Sequence, residues 1–360
     1  MTKRRAESAP PTTSDLARAA GVSLATVDRV LNKRPGVRSK TIERVQNAIL
    51  EIGFVRDTAA ANLARGRRYN PLFILPEVDD EFVNALEAQI VEHAARILPD
   101  RTSIRHLRVP VRDPQTMART ISSLDPGAYD GVAIFGPETP SIRDAVDGIW
   151  DHSIPVVSLV SDLPSSARDH FVGIDNIAAG RTAGQLMGRF LKTMNSKVLV
   201  LAGSMLARNH LECRLGFDRV FAEAFPKIET LPSIEGQDDP DRLEALLAAA
   251  FETTPDIYSL GGGNAGVARF LKENDLAKKV VVVSHELTET SREALLDGTF
   301  DATISQDTGH LVRSAIRVLR AKSDGSAIIP SQETIRADVF LKENAPPVKE
   351  ALDTEFDLSE

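Results

Sequence analysis

The sequence predicts two unlike parts: a small all-helical headpiece of the helix-turn-helix type, followed by a large two-lobed α/β body. Three observations carry this. Between residues 12 and 53, apolar side chains recur at helical spacing, and Gly21 interrupts the pattern where one short helix must turn into the next. From residue 72 onward, short apolar runs alternate with longer amphipathic stretches, as in parallel sheets covered by helices. Charge is also segregated. Residues 1–70 hold 14 Lys+Arg against 6 Asp+Glu, whereas the remaining residues hold 29 against 45, within a net charge of -8. A basic head on an acidic body predicts that the head alone meets a polyanion.

In the headpiece, Thr12 and Asp15 stand at capping-box spacing ahead of Leu16, Ala19 and Ala20. Gly21 sits where a tight turn needs a left-handed backbone. Ser23 is placed to cap a second helix, residues 24–31, with Val27, Val30 and Leu31 inward and Leu24, Ala25, Asp28 and Arg29 outward. Pro35 and Gly36 mark the next turn, and Ser39 reads as the cap of a third helix. The stripe Ile42, Val45, Ile49 and Ile52 runs to Gly53, which is placed to stop it.

In the body, strands are expected at 72–75, 104–109, 131–135, 156–160, 198–201, 257–260, 280–283 and 302–304, with helices such as 81–98, 178–191, 240–251 and 309–320. This many elements suit two lobes better than one. Ligands of open α/β sheets bind beyond the carboxyl ends of the strands. Polar residues gather there: Glu77 and the segment from Asp79 to Phe82, then Ser161 and Asp162, Asp175 and Asn176, His210, Asn264, Glu286 and Gln306.

The string LARAAGVSLATVDRVLNKRPGVRSKTIERVQNAILEIGF, followed by RDTAAANLARG, resembles the headpiece and hinge of the lactose repressor (LacI/GalR) family over some 50 consecutive positions. The resemblance implies an operator-binding transcription regulator, working as a repressor on a pseudo-palindromic site. It assigns Leu24, Ala25 and Arg29 to base edges, Arg29 as a reader of guanine. It assigns Ser23, Thr26, Asn32 and Thr41 to phosphates. Asp28 departs from the small polar residue expected there. Residues 56–64 would form a hinge helix capped by Asp57, with Ala60 and Leu63 at the minor groove and Leu63 as an apolar wedge.

The body resembles the ribose-binding-protein type of periplasmic fold (type I). By that resemblance Asp175, Asn264, Glu286 and Gln306 hydrogen-bond a sugar or polyol, with Phe82, Asp162, Asn176 and His210 beside them. Two departures stand out. Glu286 replaces an aspartate, and the arginine expected shortly before Gly216 is displaced, Cys213 standing near its place, so that Arg208 or Arg214 would have to substitute. The organisation is therefore residues 12–56 as headpiece, 57–71 as hinge helix and linker, 72–345 as effector-binding and dimerisation domain, and 346–360 as tail. The last ten residues have no leucine heptads, which favours a homodimer over a tetramer.

Other functions fit less well. Gly261, Gly263 and Gly266 satisfy G-x-G-x-x-G, with Glu286 about 20 residues on, which read alone suggests a nicotinamide-cofactor enzyme. No candidate acid–base pair accompanies it. Neither H-E-x-x-H nor G-x-S-x-G occurs, so no metal, cofactor or catalytic residue is expected. A free periplasmic binding protein would have no use for the basic headpiece. The single cysteine permits no intrachain disulfide, and no apolar run approaches the ~18–20 residues of a membrane span, so a cytoplasmic protein is expected.

Overall fold

The computed structural model describes residues 11–31, 34–54, 66–97, 101–111, 113–191, 196–237, 239–251 and 255–347. The chain divides into two compact units, Met1–Arg67 and Arg68–Glu360. Asn32, Ala60, Leu63, the hinge helix and residues 348–360 of the tail lie outside the described residues.

The first unit holds helices α1 (Thr13–Ala20), α2 (Leu24–Leu31) and α3 (Ser39–Ile52). Thr12 and Asp15 form the capping box in both directions. Gly21 takes a left-handed φ of 60°, and a Cβ there would stand 2.8 Å from the Arg44 guanidinium. That guanidinium donates to the carbonyls of Ala20 (2.6 Å) and Gly21 (3.0 Å), so a side chain of α3 ties down the turn between α1 and α2. Leu16, Ala17, Ala20, Val27, Val45, Ala48 and Phe54 make the core. Two expectations shift. Ala17 is buried instead of Ala19, because the turn of α1 carries 16, 17 and 20 inward. Arg38 is the N-cap of α3 and supplies no side-chain bond, so Ser39 is its first helical residue.

The second unit contains two sheets. The first has five parallel strands in the order β2–β1–β3–β4–β5: β1 (Pro71–Pro76), β2 (Arg105–Val109), β3 (Gly131–Ile134), β4 (Val156–Leu159) and β5 (His170–Val172). The second has six in the order β11–β10–β9–β8–β6–β7: β6 (Lys197–Ala202), β7 (Glu229–Glu235), β8 (Asp256–Ser259), β9 (Val282–His285), β10 (Ala302–Ser305) and β11 (Asp338–Phe340). Only β11 is antiparallel. β1 shows why these strands read as apolar runs: Leu72 and Ile74 pack with Met117 and Ile121 on one face, Phe73 and Leu75 with Leu86 and Ile90 on the other.

Helices cover both sheets. In the first lobe these include α4 (Glu81–Ile97), α5 (Pro114–Ser122) and α6 (Pro140–Asp151). In the second they include α7 (Asn176–Phe190), α8 (Arg208–Ala224), α9 (Pro240–Ala250), α10 (Asn264–Glu273) and α11 (Glu289–Asp297). Helix α12 (Thr308–Ser323) follows β10 yet packs on α4 and on β3, β4 and β5 of the first lobe. The chain thus crosses between lobes after β5, after β10 and again before β11. Helices α7 and α8 approach so closely that a Cβ on Gly180 would lie 2.0 Å from the Cys213 carbonyl oxygen, and one on Gly216 2.1 Å from that of Ile177.

The expected strand at 280–283 begins two residues later. The Val281 amide is taken by the Asp256 carboxylate (2.8 Å), outside the ladder.

Candidate effector pocket and DNA-reading helix

The exposed end of α2 is built by its cap. The Ser23 Oγ accepts from the Thr26 amide (3.2 Å) and lies 2.9 Å from the Thr26 hydroxyl. Burial of Val27 then leaves Leu24 (53% exposed), Ala25 and Arg29 facing outward, with Thr26 half-buried. Among the described residues Arg29 has no ion-pair partner, while Asp28 pairs with Arg34 at 3.2 Å. A counter-charge thus already accompanies the carboxylate that departs from the expected pattern. Thr41 is half-buried in the first turn of α3.

In the body, a cavity of about 280 Å³ opens between the two sheets. Every strand end except those of β5, β10 and the antiparallel β11 reaches it: Pro76 and Asp80 after β1, Val111 after β2, Phe135 after β3, and Val160 and Ser161 after β4. From the second lobe come Ser204 and His210 after β6, Gln237 after β7, Leu260 and Gly261 after β8, and Glu286 after β9. Phe82, at the start of α4, packs edge-on against Phe135 (6.5 Å between centroids). The wall is mostly apolar with a few convergent polar groups, the composition of a small-molecule site.

Several of those groups are unsatisfied. The Ser161 hydroxyl, the Asn209 Oδ1 and the Glu286 Oε2 are buried without a hydrogen-bond partner, and all three residues line the cavity. Buried polar atoms are normally paired, so such a concentration marks a place completed by something else. The other Glu286 oxygen accepts from Gln306 Nε2 at 3.0 Å. Burial pushes the Glu286 carboxyl up to about 8, with Asp80 adding to the shift and Gln306 opposing it. His210 Nδ1 lies 2.8 Å from the Ser204 carbonyl and 3.4 Å from the Ser204 amide, so the Ser204 backbone engages Nδ1 and fixes the ring. Burial lowers the His210 pKa and keeps the ring neutral.

Of the nine residues singled out from sequence, Phe82, His210 and Glu286 line this cavity. Asn264 reaches a small adjoining one of about 40 Å³, where it accepts from Ser259 (2.7 Å) and donates to the His285 carbonyl (2.8 Å), pinning β8 to the end of β9. Gln306 stands behind Glu286 on the second crossing. The remaining four are engaged elsewhere. Asp162 is held by Arg168 and Ser158; burial alone would raise its pKa, but those hydrogen bonds outweigh it and hold the carboxyl below its ordinary range. Asp175 is exposed and caps α7 through the Ala178 amide (2.9 Å), at the first crossing between the lobes. Asn176 donates to Glu212 (3.2 Å).

Neither arginine supplies a pocket cation. Arg214 binds Asp218 (2.7 Å) and Ser233 (2.9 Å), while Arg208 binds Glu212 and, across the lobes, Glu138, both at 2.7 Å. Asp80 and Ser161, also expected at strand ends, line the cavity as well, whereas the sequence reading missed Asn209 and the apolar wall. Asn209 carried no such signal, since it lies inside a helix and not directly after an apolar run.

A family model described as "Bacterial regulatory proteins, lacI family" matches residues 12–57, and one described as "Periplasmic binding protein domain" matches residues 72–327. The chain belongs to the lacI family. The G-x-G-x-x-G segment forms cavity wall at Gly261 and Gly262.

Among lacI-family relatives, the chain is 29% identical over 174 residues to the HTH-type transcriptional regulator DegA of Bacillus subtilis, covering 48% of this chain and 50% of that one. It is 24% identical over 346 residues to CelR of Thermobifida fusca, covering 93% and 98%. The chain thus spans about half the length of the first relative and nearly all of the second. In fold, the body is similar to a glucose-galactose binding protein from Geobacillus stearothermophilus (TM-score 0.68, 20% identity, 78% of this chain and 100% of that one). Among the described residues no helix is long and apolar enough to cross a membrane.

Proposed function

We propose that this lacI-family chain is an operator-binding transcription regulator, acting as a repressor and switched by a small hydroxylated molecule held between its lobes. The observation that carries the switch is the cavity itself. It is walled by both lobes at their strand ends, and three of its buried polar atoms await partners. The exposed end of α2 supports the DNA half, because the N-terminal part of the second helix of such a unit enters the major groove. Arg29 is the base reader there, Leu24 and Ala25 meet thymine methyls, and Ser23, Thr26, Asn32 and Thr41 hold phosphates.

Two headpieces on a homodimer would read two half-sites, with Ala60 and Leu63 of the hinge at the minor groove between them. An effector with different affinity for two lobe arrangements shifts the separation of the headpieces and with it operator affinity.

The test joins both halves. Site selection from a random double-stranded DNA pool should return a pseudo-palindrome. A thermal-shift screen of sugars, polyols and their derivatives should then identify a stabilising compound that changes binding to that site. No selected motif, or stabilising ligands that leave operator affinity unchanged, would overturn the reading.

A further inference from the structure

The polarity of the cavity wall is divided between the lobes. The first lobe lines it with Val78, Phe82, Val111, Phe135 and Val160, and among its described lining residues only Asp80 and Ser161 have polar side chains. The second lobe brings Ser204, Asn209, His210, Gln237 and Glu286, beside Leu206 and Leu260. Val160 after β4 and Glu286 after β9 carry the contrast most plainly.

Little of this polarity is charged. Asp80 is committed to the start of α4: its Oδ1 accepts from the Phe82 and Val83 amides, both at 3.0 Å, where the positive end of the helix answers a carboxylate. No lysine or arginine stands among the described lining residues. Burial keeps the His210 ring neutral and holds the proton on Glu286 up to about 8, with Asp80 adding to that shift and Gln306 opposing it. Burial likewise pushes the Cys213 thiol of α8 up and lowers His285, bonded to the Tyr258 hydroxyl (2.8 Å), to about 3, so both are uncharged. Glu286 Oε1 accepts from Gln306 (3.0 Å), which leaves Oε2 to carry the proton as a buried donor with no acceptor.

We propose that the effector is uncharged and two-sided, a deoxy sugar or a molecule of that make. Its deoxygenated edge lies on Phe82, Phe135 and Val160 of the first lobe, and its hydroxyl groups face the second lobe, one of them accepting from Glu286. This rests on reading the cavity as the effector site and narrows the class of molecule that fills it. A fully hydroxylated sugar would press a hydroxyl group against the apolar wall, where an unpaired polar group is costly. A charged one would leave water with no opposite charge to meet it.

Titration calorimetry on the full chain tests this with matched pairs: L-fucose against L-galactose, L-rhamnose against L-mannose, and 6-deoxyglucose against glucose. Glucuronate and 1-amino-1-deoxysorbitol serve as anion and cation. At about pH 7, at least one deoxy sugar should bind roughly tenfold or more tighter than its parent sugar, and neither charged probe should bind. Val160→Thr keeps the branched shape but adds a hydroxyl group to the apolar wall, so it should narrow that ratio several-fold. Affinity should hold level between about pH 6 and about pH 7 and fall above about pH 8, where Glu286 loses its proton. Glu286→Gln should flatten the fall, because an amide donates but cannot ionise.

Parent sugars that bind as well as their deoxy partners, binding of either charged probe, or affinity that does not fall above about pH 8 would overturn the inference. So would the absence of binding by all the deoxy sugars, an unchanged ratio in Val160→Thr, or an unchanged fall in Glu286→Gln. A fully hydroxylated or charged probe that binds and alters operator affinity would remove the two-sided effector and leave the effector site standing, so the two failures are distinguishable.

Discussion

Val160 and Glu286 occupy matching places in the two lobes. Each follows a central strand, takes a left-handed backbone (φ 65° and 69°), and donates its amide to the next strand, Val160 to the Val172 carbonyl (3.0 Å) and Glu286 to that of Ile304 (2.8 Å). Neither residue type favours that conformation. Held there, both side chains reach the cavity, one lobe presenting an isopropyl group and the other a carboxyl. Strain maintained at this pair of positions fits a binding site better than a packing one.

Glu286 gives the unliganded protein a pH dependence. An unfolded carboxyl loses its proton near 4.5, whereas the folded Glu286 keeps its own up to about 8. Between those values the folded state binds more protons, so stability falls as pH rises and stays reduced above about 8. Glutamine imitates the protonated form. Glu286→Gln should therefore unfold at a higher temperature than the parent at about pH 8 and at nearly the same temperature near pH 5, read by thermal unfolding without ligand. An equal effect at both pH values would count against a buried, proton-holding carboxyl; Asp80, Gln306 and Cys213, which also face it, are unchanged in the comparison.

Arg29→Ala should cost about 1–3 kcal/mol per half-site and relax the preference at one base pair, if the arginine forms a bidentate bond with guanine. Site selection with parent and variant reads this directly. An identical consensus would remove Arg29 from base reading.

Gly180→Ala tests the contact between α7 and α8. With backbone at 2.0 Å from the added methyl, the helices must separate. Overpacking of this kind costs about 1–3 kcal/mol or more. Chemical denaturation should show the loss, and because the headpiece is a separate compact unit its own unfolding should be unaffected.

The ion pair of Glu138 with Arg208 joins the lobes at 2.7 Å. It is partly solvated, with Arg208 35% and Glu138 18% exposed, so its contribution is screened and small. Glu138→Gln should widen the unliganded body in small-angle scattering and weaken effector binding by about two- to fivefold. Unchanged dimensions would mean that the pair does not help hold the lobes together.

Much of this was legible along the chain. The headpiece was, because short helices depend on local signals: the Thr12 cap, Gly21, Ser23 and Gly53 each act within a few residues. The central strands were, because a strand buried on both faces must be a continuous apolar run. The strands that escaped, β5, β7 and β11, are all sheet edges. An edge faces solvent along one side, so it needs no such run, and β7 even carries Pro232 where its register slips.

For the pocket, the sequence by itself determined which loops converge, since strand ends in a parallel sheet point the same way. Phe82, His210 and Glu286 were found on that basis. It did not determine which polar side chains remain for a ligand. That is decided by neighbours distant in the chain: Arg168 claims Asp162, the helix start at Asn176 claims Asp175, Glu212 claims Asn176, and Asp218 and Ser233 claim Arg214. Hydrogen-bonding capacity is finite, and only the folded chain shows where it has been used. What stays unpaired at the cavity, the Glu286 carboxyl above all, is therefore a property of the tertiary structure.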